Sequence, residues 1–168
     1  MAGFLTPDSA ATDGRARAAI ASLLPVKALR GDRMIRLLLA DDHAAVREGL
    51  RQLFAYAPDM LLEGEFASGE EVIRRLSTDS SRVDLLLLDL CMPGVSGVEL
   101  LQRLCQQFPW LPVLVLTMHN EASIAQRAME AGAAGFLSKD SDPEDLLDAV
   151  RRVAATGRLP LAAQGGRA

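Results

Sequence analysis

Leu85 to Leu88 is a run of four leucines that closes on a carboxylate, Asp89, and is followed within three residues by Met92-Pro93-Gly94. An apolar run this short, bounded by turn residues, suits a strand buried on both faces rather than a helix. Strands of that kind belong to parallel sheets covered by helices. Open sheets so built hold their ligand sites at the carboxyl ends of the strands. Asp89 stands at such an end, and whatever else reaches that edge of the sheet decides the chemistry.

The same pattern recurs along the chain. Met34 to Ala40 is nearly continuous in apolar residues, with Arg36 as its one polar interruption, and ends in Asp41-Asp42. Val46, Leu50, Leu53, Phe54 and Ala57 follow at helical spacing up to Pro58. Met60 to Phe66 alternates, with Leu62, Gly64 and Phe66 expected on one face and Leu61, Glu63 and Glu65 on the other. Charges on one face suit a strand at the sheet edge. Ser68 with Glu71 forms a capping box, behind which Val72, Ile73 and Leu76 turn inward. After the Asp89 strand, a helix is predicted from about Gly97 to Phe108, burying Val98, Leu101, Leu104, Cys105 and Phe108.

Pro112 to Thr117 reads as a further strand. A helix of small residues runs from about Glu121 to Ala131 and stops at Gly132. Its face (Ala125, Ala128, Met129) is weakly apolar, so it ranks among the less firmly packed elements. Gly135 to Ser138 makes a last strand leading into Lys139. Asp142 as N-cap, Pro143 at the first helical position and Glu144-Asp145 in the first turn begin the final helix. That helix buries Leu146, Leu147, Val150, Val153 and Ala154 and ends near Gly157. Arg151 and Arg152 fit the dipole at its C-terminus. Five strands alternating with five helices predict an α/β fold: a doubly wound parallel sheet in the order 2-1-3-4-5 with helices on both faces.

Composition narrows the function classes. The chain has 168 residues, a net charge of −4 and an aromatic content of 4%, so the core is aliphatic and the domain as a whole lacks the basic surface of a nucleic-acid binder. Two cysteines, Cys91 and Cys105, form no C-x-x-C pair and are too few for a zinc site or a disulfide framework. With neither a membrane-length apolar run nor a signal-peptide pattern at Met1, a cytoplasmic protein without membrane contact is expected. Residues 1–33 hold no sustained period, apart from a possible helical piece from Arg15 to Leu24, and read as a disordered extension. Met34 is an alternative start. The domain is expected over 34–157, with 158–168 as a disordered tail.

Because every strand of a parallel sheet ends on one edge, Asp41, Asp42, Asp89, Thr117 and Lys139 converge there although they span almost a hundred positions. Three carboxylates in one cleft repel unless cations sit among them. Lys139 supplies one positive charge; an all-oxygen donor set points to a divalent ion, magnesium before zinc. Asp42, just ahead of a helix, has helix capping as its alternative role. A carboxylate flanked by a metal, an ammonium and a hydroxyl can attack phosphorus and form an aspartyl phosphate, which water later cleaves.

The motifs Leu39-Ala40-Asp41-Asp42-His43, Leu87-Leu88-Asp89-Leu90-Cys91-Met92-Pro93-Gly94, Val115-Leu116-Thr117 and Gly132-Ala133-Ala134-Gly135-Phe136-Leu137-Ser138-Lys139 resemble those of a two-component response regulator receiver domain, in wording nearest the NarL/FixJ subfamily. The resemblance covers Met34 to Gly157. It implies that Asp89 is the phosphoacceptor, served by a sensor histidine kinase, and that Asp42, Asp89 and the backbone carbonyl of Cys91 bind Mg2+, with Asp41 acting through a water. It further implies that Thr117 and Lys139 contact the phosphoryl group, and that Thr117 and Phe136 act as switch residues. These repack the surface of the fourth helix, fifth strand and fifth helix. A homodimer through that surface is also implied.

Regulators of that subfamily continue into a helix-turn-helix domain, whereas only eleven residues follow Gly157 here. Direct DNA binding is therefore not expected of the chain as given, which reads as a stand-alone receiver or a truncated regulator. Two other classes compete. A phosphatase or phosphotransferase of the haloacid-dehalogenase type also uses a strand-end aspartate, but needs a second acid two residues on, where this chain has Cys91. A receiver-like interaction domain that is never phosphorylated is the third. Cys91 as a redox residue and His119 as a modulator at the cleft mouth rank below their bland alternatives, a variable position and a solvated loop residue.

Overall fold

The computed structural model describes residues 33–79, 83–95, 97–118 and 122–159. The N-terminal stretch with its expected helical piece, His119, Glu121 and the tail beyond Leu159 lie outside the described residues. In chain order the elements are β1 (Ile35–Ala40), α1 (Ala44–Ala55), β2 (Met60–Phe66), α2 (Gly69–Thr78), β3 (Leu85–Asp89), α3 (Gly97–Gln107), β4 (Val113–Thr117), α4 (Ala122–Glu130), β5 (Gly135–Ser138) and α5 (Pro143–Thr156). The five strands form one sheet in the order β2-β1-β3-β4-β5, with every neighbouring pair parallel. This is the doubly wound order expected from the sequence.

The alternating side chains of the strands divide the core into two layers. Leu38, Ala40, Leu86, Leu88, Val113, Val115 and Phe136 pack with α2, α3 and α4, whereas Leu37, Leu39, Leu85, Leu87, Leu114 and Leu116 pack with α1 and α5. β3 is buried along its whole length, as a central strand covered by helices must be. α2 shows its predicted stripe, with Val72 and Leu76 buried and Ile73 packed against them, and α1 turns Leu50, Leu53 and Phe54 to the core. α4 fully buries only Ala128, which agrees with its weak apolar face.

Several local expectations are corrected. In β2 the alternation does not run through. Leu37 pairs with Leu62 but Leu38 pairs with Gly64, so Glu63 is an extra residue in a bulge, where it meets Arg36 at 3.2 Å. The bulge switches faces: Leu62 packs with one core layer and Phe66 with the other, rather than together. In α3 the buried set includes Leu100, which lies against the start of α2 so closely that a Cβ at Gly69 would come within 2.5 Å of its methyl carbons. Val98, expected to be buried, is only half-buried.

Asp142 occupies the N-cap position of α5, but its side chain makes no capping hydrogen bond; its carbonyl accepts from Leu146 N–H instead. In place of the predicted Ala154, Ala149 joins the buried face of α5. Packing also continues past Gly157. Leu159 N–H donates to Ala134 O at 2.7 Å, and its side chain fills the space over Gly135, where any Cβ would lie 2.6 Å from it.

Arg151 is not a free charge at the helix end. Its guanidinium holds Asp59 through two hydrogen bonds (2.7 and 3.1 Å) and reaches Asp148 at 3.1 Å, tying α5 to the loop before β2. Half-exposed paired charges contribute little, and bidentate geometry lifts that only modestly. Arg151→Ala is expected to cost about 1 kcal/mol or less, read as a small shift of the urea midpoint that shrinks further at high salt.

Candidate functional site: the carboxyl edge of the sheet

β1, β3, β4 and β5 deliver their terminal residues to one edge. Asp41 follows β1, Asp89 ends β3, Thr117 ends β4 and Lys139 follows β5. The Lys139 ammonium bridges two of them, at 2.5 Å from Asp41 Oδ2 and 2.7 Å from Asp89 Oδ2. Asp41 and Asp89 are 1% and 2% exposed, so these charges have left bulk water. Burial works against the ammonium, but hydrogen bonds and charge from Asp41 and Asp89 outweigh it and hold Lys139 above the ordinary lysine value.

Backbone groups fix the acids in place. Asp89 Oδ1 accepts from Cys91 N–H (2.9 Å), and Asp41 Oδ1 accepts from His43 N–H (2.8 Å). Lys139 N–H donates to the Thr117 carbonyl at 2.9 Å, which locks the start of the β5–α5 loop to the end of β4. The loop after Asp89 turns tightly because α3 begins against it: a Cβ at Gly97 would sit 2.1 Å from the Leu90 carbonyl oxygen, so only glycine fits.

Asp42 is the partly open member of the group. It does not cap α1, whose N-cap is His43, and its Oδ1 is buried without a hydrogen bond. An oxygen left so is costly unless a cation reaches it. Two like charges about 4 Å apart at an effective dielectric near 20 repel by ~4 kcal/mol, and one ammonium cannot offset three carboxylates. Ligand atoms of Asp41, Asp42, His43 and Asp89 lie within 4.8 Å of one another, a spacing one ion can bridge. The donor set therefore fits a divalent cation.

Asp41, Asp42, Asp89 and Lys139 form one cluster. Thr117 is buried beside it, its Oγ1 3.9 Å from the thiol of exposed Cys91. Cys91 touches Asp89 through its N–H, and Phe136 lies in the core opposite Val115, behind the edge rather than in the cleft. Two participants carried no sequence expectation. The imidazole of His43 lies 3.0 Å from Asp42 Oδ1 and 3.3 Å from Asp41 Oδ1, and Arg47 Nη1 donates to the Asp41 carbonyl at 2.6 Å. Arg47 sits one helical turn past the acids, the kind of spacing that lets a first-turn side chain reach back to the preceding loop.

Residues 37–151 match the family described as response regulator receiver domain. Among curated relatives, the chain is 40% identical over 119 residues to the nitrate/nitrite response regulator protein NarL of Escherichia coli, an alignment covering 71% of this chain and 54% of that protein. It is 35% identical over 120 residues to the E. coli response regulator UvrY, again covering 71% and 54%. The chain thus spans about half the length of the curated relatives it matches. Among solved structures it is similar to the signal receiver domain of a putative NarL from Mycobacterium tuberculosis, with a TM-score of 0.68 at 29% identity over 74% of this chain and 98% of that one. A LuxR-family two-component response regulator from Aurantimonas sp. superposes equally well, with a TM-score of 0.68 at 35% identity over 74% and 87%. A strand-end acid cluster bridged by a lysine, on a sheet of this order and with relatives of this kind, has one reading: the chain belongs to the response regulator receiver domain family.

Proposed function

We propose that residues 34–157 act as a phosphorylation-controlled switch in which Asp89 accepts a phosphoryl group from a sensor histidine kinase. The observation that carries this reading is the paired engagement of Asp89: Lys139 on one oxygen and Cys91 N–H on the other. Two fixed donors orient the carboxylate, and no neighbouring acid stands at position 91 to drive turnover. An Asp89 oxygen forms the new O–P bond as the P–N bond to the kinase histidine breaks, and the electron pair stays on that imidazole nitrogen. Asp42, Asp89 and the Cys91 carbonyl would hold Mg2+, with Asp41 acting through a water. Bound Mg2+ supplies charge neutralisation at the phosphoryl oxygens. Lys139 pairs one of those oxygens and the Thr117 hydroxyl donates to another.

Thr117 and Phe136 then couple occupancy of Asp89 to the surface of α4, β5 and α5, where a partner, a second copy of the chain or a further domain reads the change. The protein is a signalling module rather than a turnover enzyme, and it works in the cytoplasm. Among the described residues no helix is long and apolar enough to cross a membrane.

With Mg2+ and acetyl phosphate, the intact protein is expected to gain one phosphoryl group that survives acid and is lost in base, with no gain when Mg2+ is chelated. Sustained hydrolysis of phosphomonoesters over many turnovers would instead establish the phosphatase reading. A chain that neither binds Mg2+ nor gains mass is an interaction domain.

A further inference from the structure

His43 is the N-cap residue of α1, yet its side chain caps nothing. Its ring turns toward the acids instead. Nδ1 lies 3.0 Å from Asp42 Oδ1 and 3.3 Å from Asp41 Oδ1. Asp42 Oδ1 is buried, and the ring nitrogen of His43 is the nitrogen that faces it. A nitrogen and an oxygen 3.0 Å apart also have the spacing of two adjacent donors on one ion. With metal–donor bonds of about 2.1 Å, neighbouring donors of a six-coordinate ion are about 3.0 Å apart. One donor atom from each of Asp41, Asp42, His43 and Asp89 falls within 4.8 Å of the others.

We propose that His43 is a nitrogen donor to the acidic cation site, which therefore takes first-row transition divalents, Ni2+ and Co2+ foremost, in preference to Mg2+. This rests on the assignment of the acid cluster as the Mg2+ site and adds to it the identity of a fourth donor. Oxygen-only sets suit hard Mg2+, whereas imidazole raises affinity in the order Mn2+, Co2+, Ni2+. The N–H bond from His43 to Asp41 Oδ1 and the Arg47 hydrogen bond to the Asp41 carbonyl hold the backbone on which the ring is mounted. Lys139, just past β5, is engaged by Asp41 Oδ2 and Asp89 Oδ2, which leaves Asp42 and His43 facing the ion. Which divalent ion fills the cleft then depends on transition-metal supply as well as on Mg2+.

The test titrates the intact protein with Mg2+, Mn2+ and Ni2+ by calorimetry at one fixed pH for every variant. Wild type is expected to bind Ni2+ at least about 100-fold more tightly than Mg2+. His43→Ala should weaken Ni2+ by about tenfold or more while moving Mg2+ by less than about twofold. His43→Asn, which keeps a good N-cap residue, should behave the same way and so guards against a folding artefact. Pulsed EPR of the Mn2+-loaded protein should show coupling to a histidine nitrogen that disappears in both variants, and Asp42→Asn should weaken both ions.

Unchanged Ni2+ affinity in the His43 variants, or Ni2+ binding that survives Asp42→Asn, overturns the proposal. If Mg2+ binds and acetyl phosphate still modifies the protein while the His43 variants leave Ni2+ unchanged, this inference alone falls; if neither ion binds wild type, the metal-assisted reading of the site falls with it.

Discussion

Lys139→Met is expected to lower the stability of the protein at neutral pH by about 3 kcal/mol, because removing one partner of a buried ion pair strands the other. Two partners are stranded here. Asp41 and Asp89 are both almost fully buried, and both rely on the same ammonium. Added Mg2+ should recover part of the loss by mass action. Asp89→Asn in the same chain should recover part as well, since it removes one of the stranded charges.

The penalty also diminishes on the alkaline side. The folded-state value of Lys139 lies above the ordinary 10.5, so its stabilisation is full below that value and is lost as pH rises through the higher folded-state value. Wild type should lose stability there by one more proton than Lys139→Met does. Urea denaturation at neutral and alkaline pH reads both effects, and a Lys139→Met midpoint equal to wild type at neutral pH would show that the cluster does not depend on the ammonium.

Phe136→Ala is expected to cost about 3–5 kcal/mol, the usual penalty for emptying a large aromatic site in a packed core. Phe136 is 2% exposed and packs with the layer formed by Val113, Val115 and Ala128. Phe136→Leu, which keeps most of the volume, should cost less than about 1.5 kcal/mol. The two variants separate packing from signalling. If the ring also couples Thr117 to the α4–β5–α5 surface, Phe136→Leu accepts phosphoryl groups at the wild-type rate but fails to change that surface, as followed by amide hydrogen exchange over α4 and α5. Equal exchange responses in wild type and Phe136→Leu would confine Phe136 to the core.

Much of this architecture was legible because its determinants are local. Short apolar runs that end in polar residues mark β1, β3, β4 and β5, and the carboxyl-edge rule for parallel sheets brings Asp41, Asp42, Asp89, Thr117 and Lys139 to one edge from sequence alone. What escaped depends on contacts between elements. The bulge at Glu63 has no local signature: Leu61 to Phe66 alternates as a regular strand does, and only the pairing with β1 reveals the extra residue. Leu100 lies off the sheet-facing stripe of α3 because it serves a second neighbour, the start of α2.

Charged side chains escaped for a related reason. Arg151 looked like a dipole partner from its place at the end of a helix, but its carboxylate lies 92 residues away at Asp59. His43 sits in the same motif as Asp41 and Asp42, yet nothing in the sequence tells whether its ring turns outward or onto the acids. Helical spacing could have suggested Arg47, one turn beyond the acids, but not that a backbone carbonyl would be its target.

The central claim is that Asp89, and neither of its acidic neighbours, accepts the phosphoryl group. After phosphorylation with acetyl phosphate and Mg2+, the acyl phosphate can be trapped by borohydride reduction and the modified residue located by peptide mass spectrometry, in wild type and in Asp89→Asn. The prediction is modification at position 89 alone in wild type and none in Asp89→Asn. Modification at Asp41 or Asp42, or undiminished incorporation in Asp89→Asn, would contradict it.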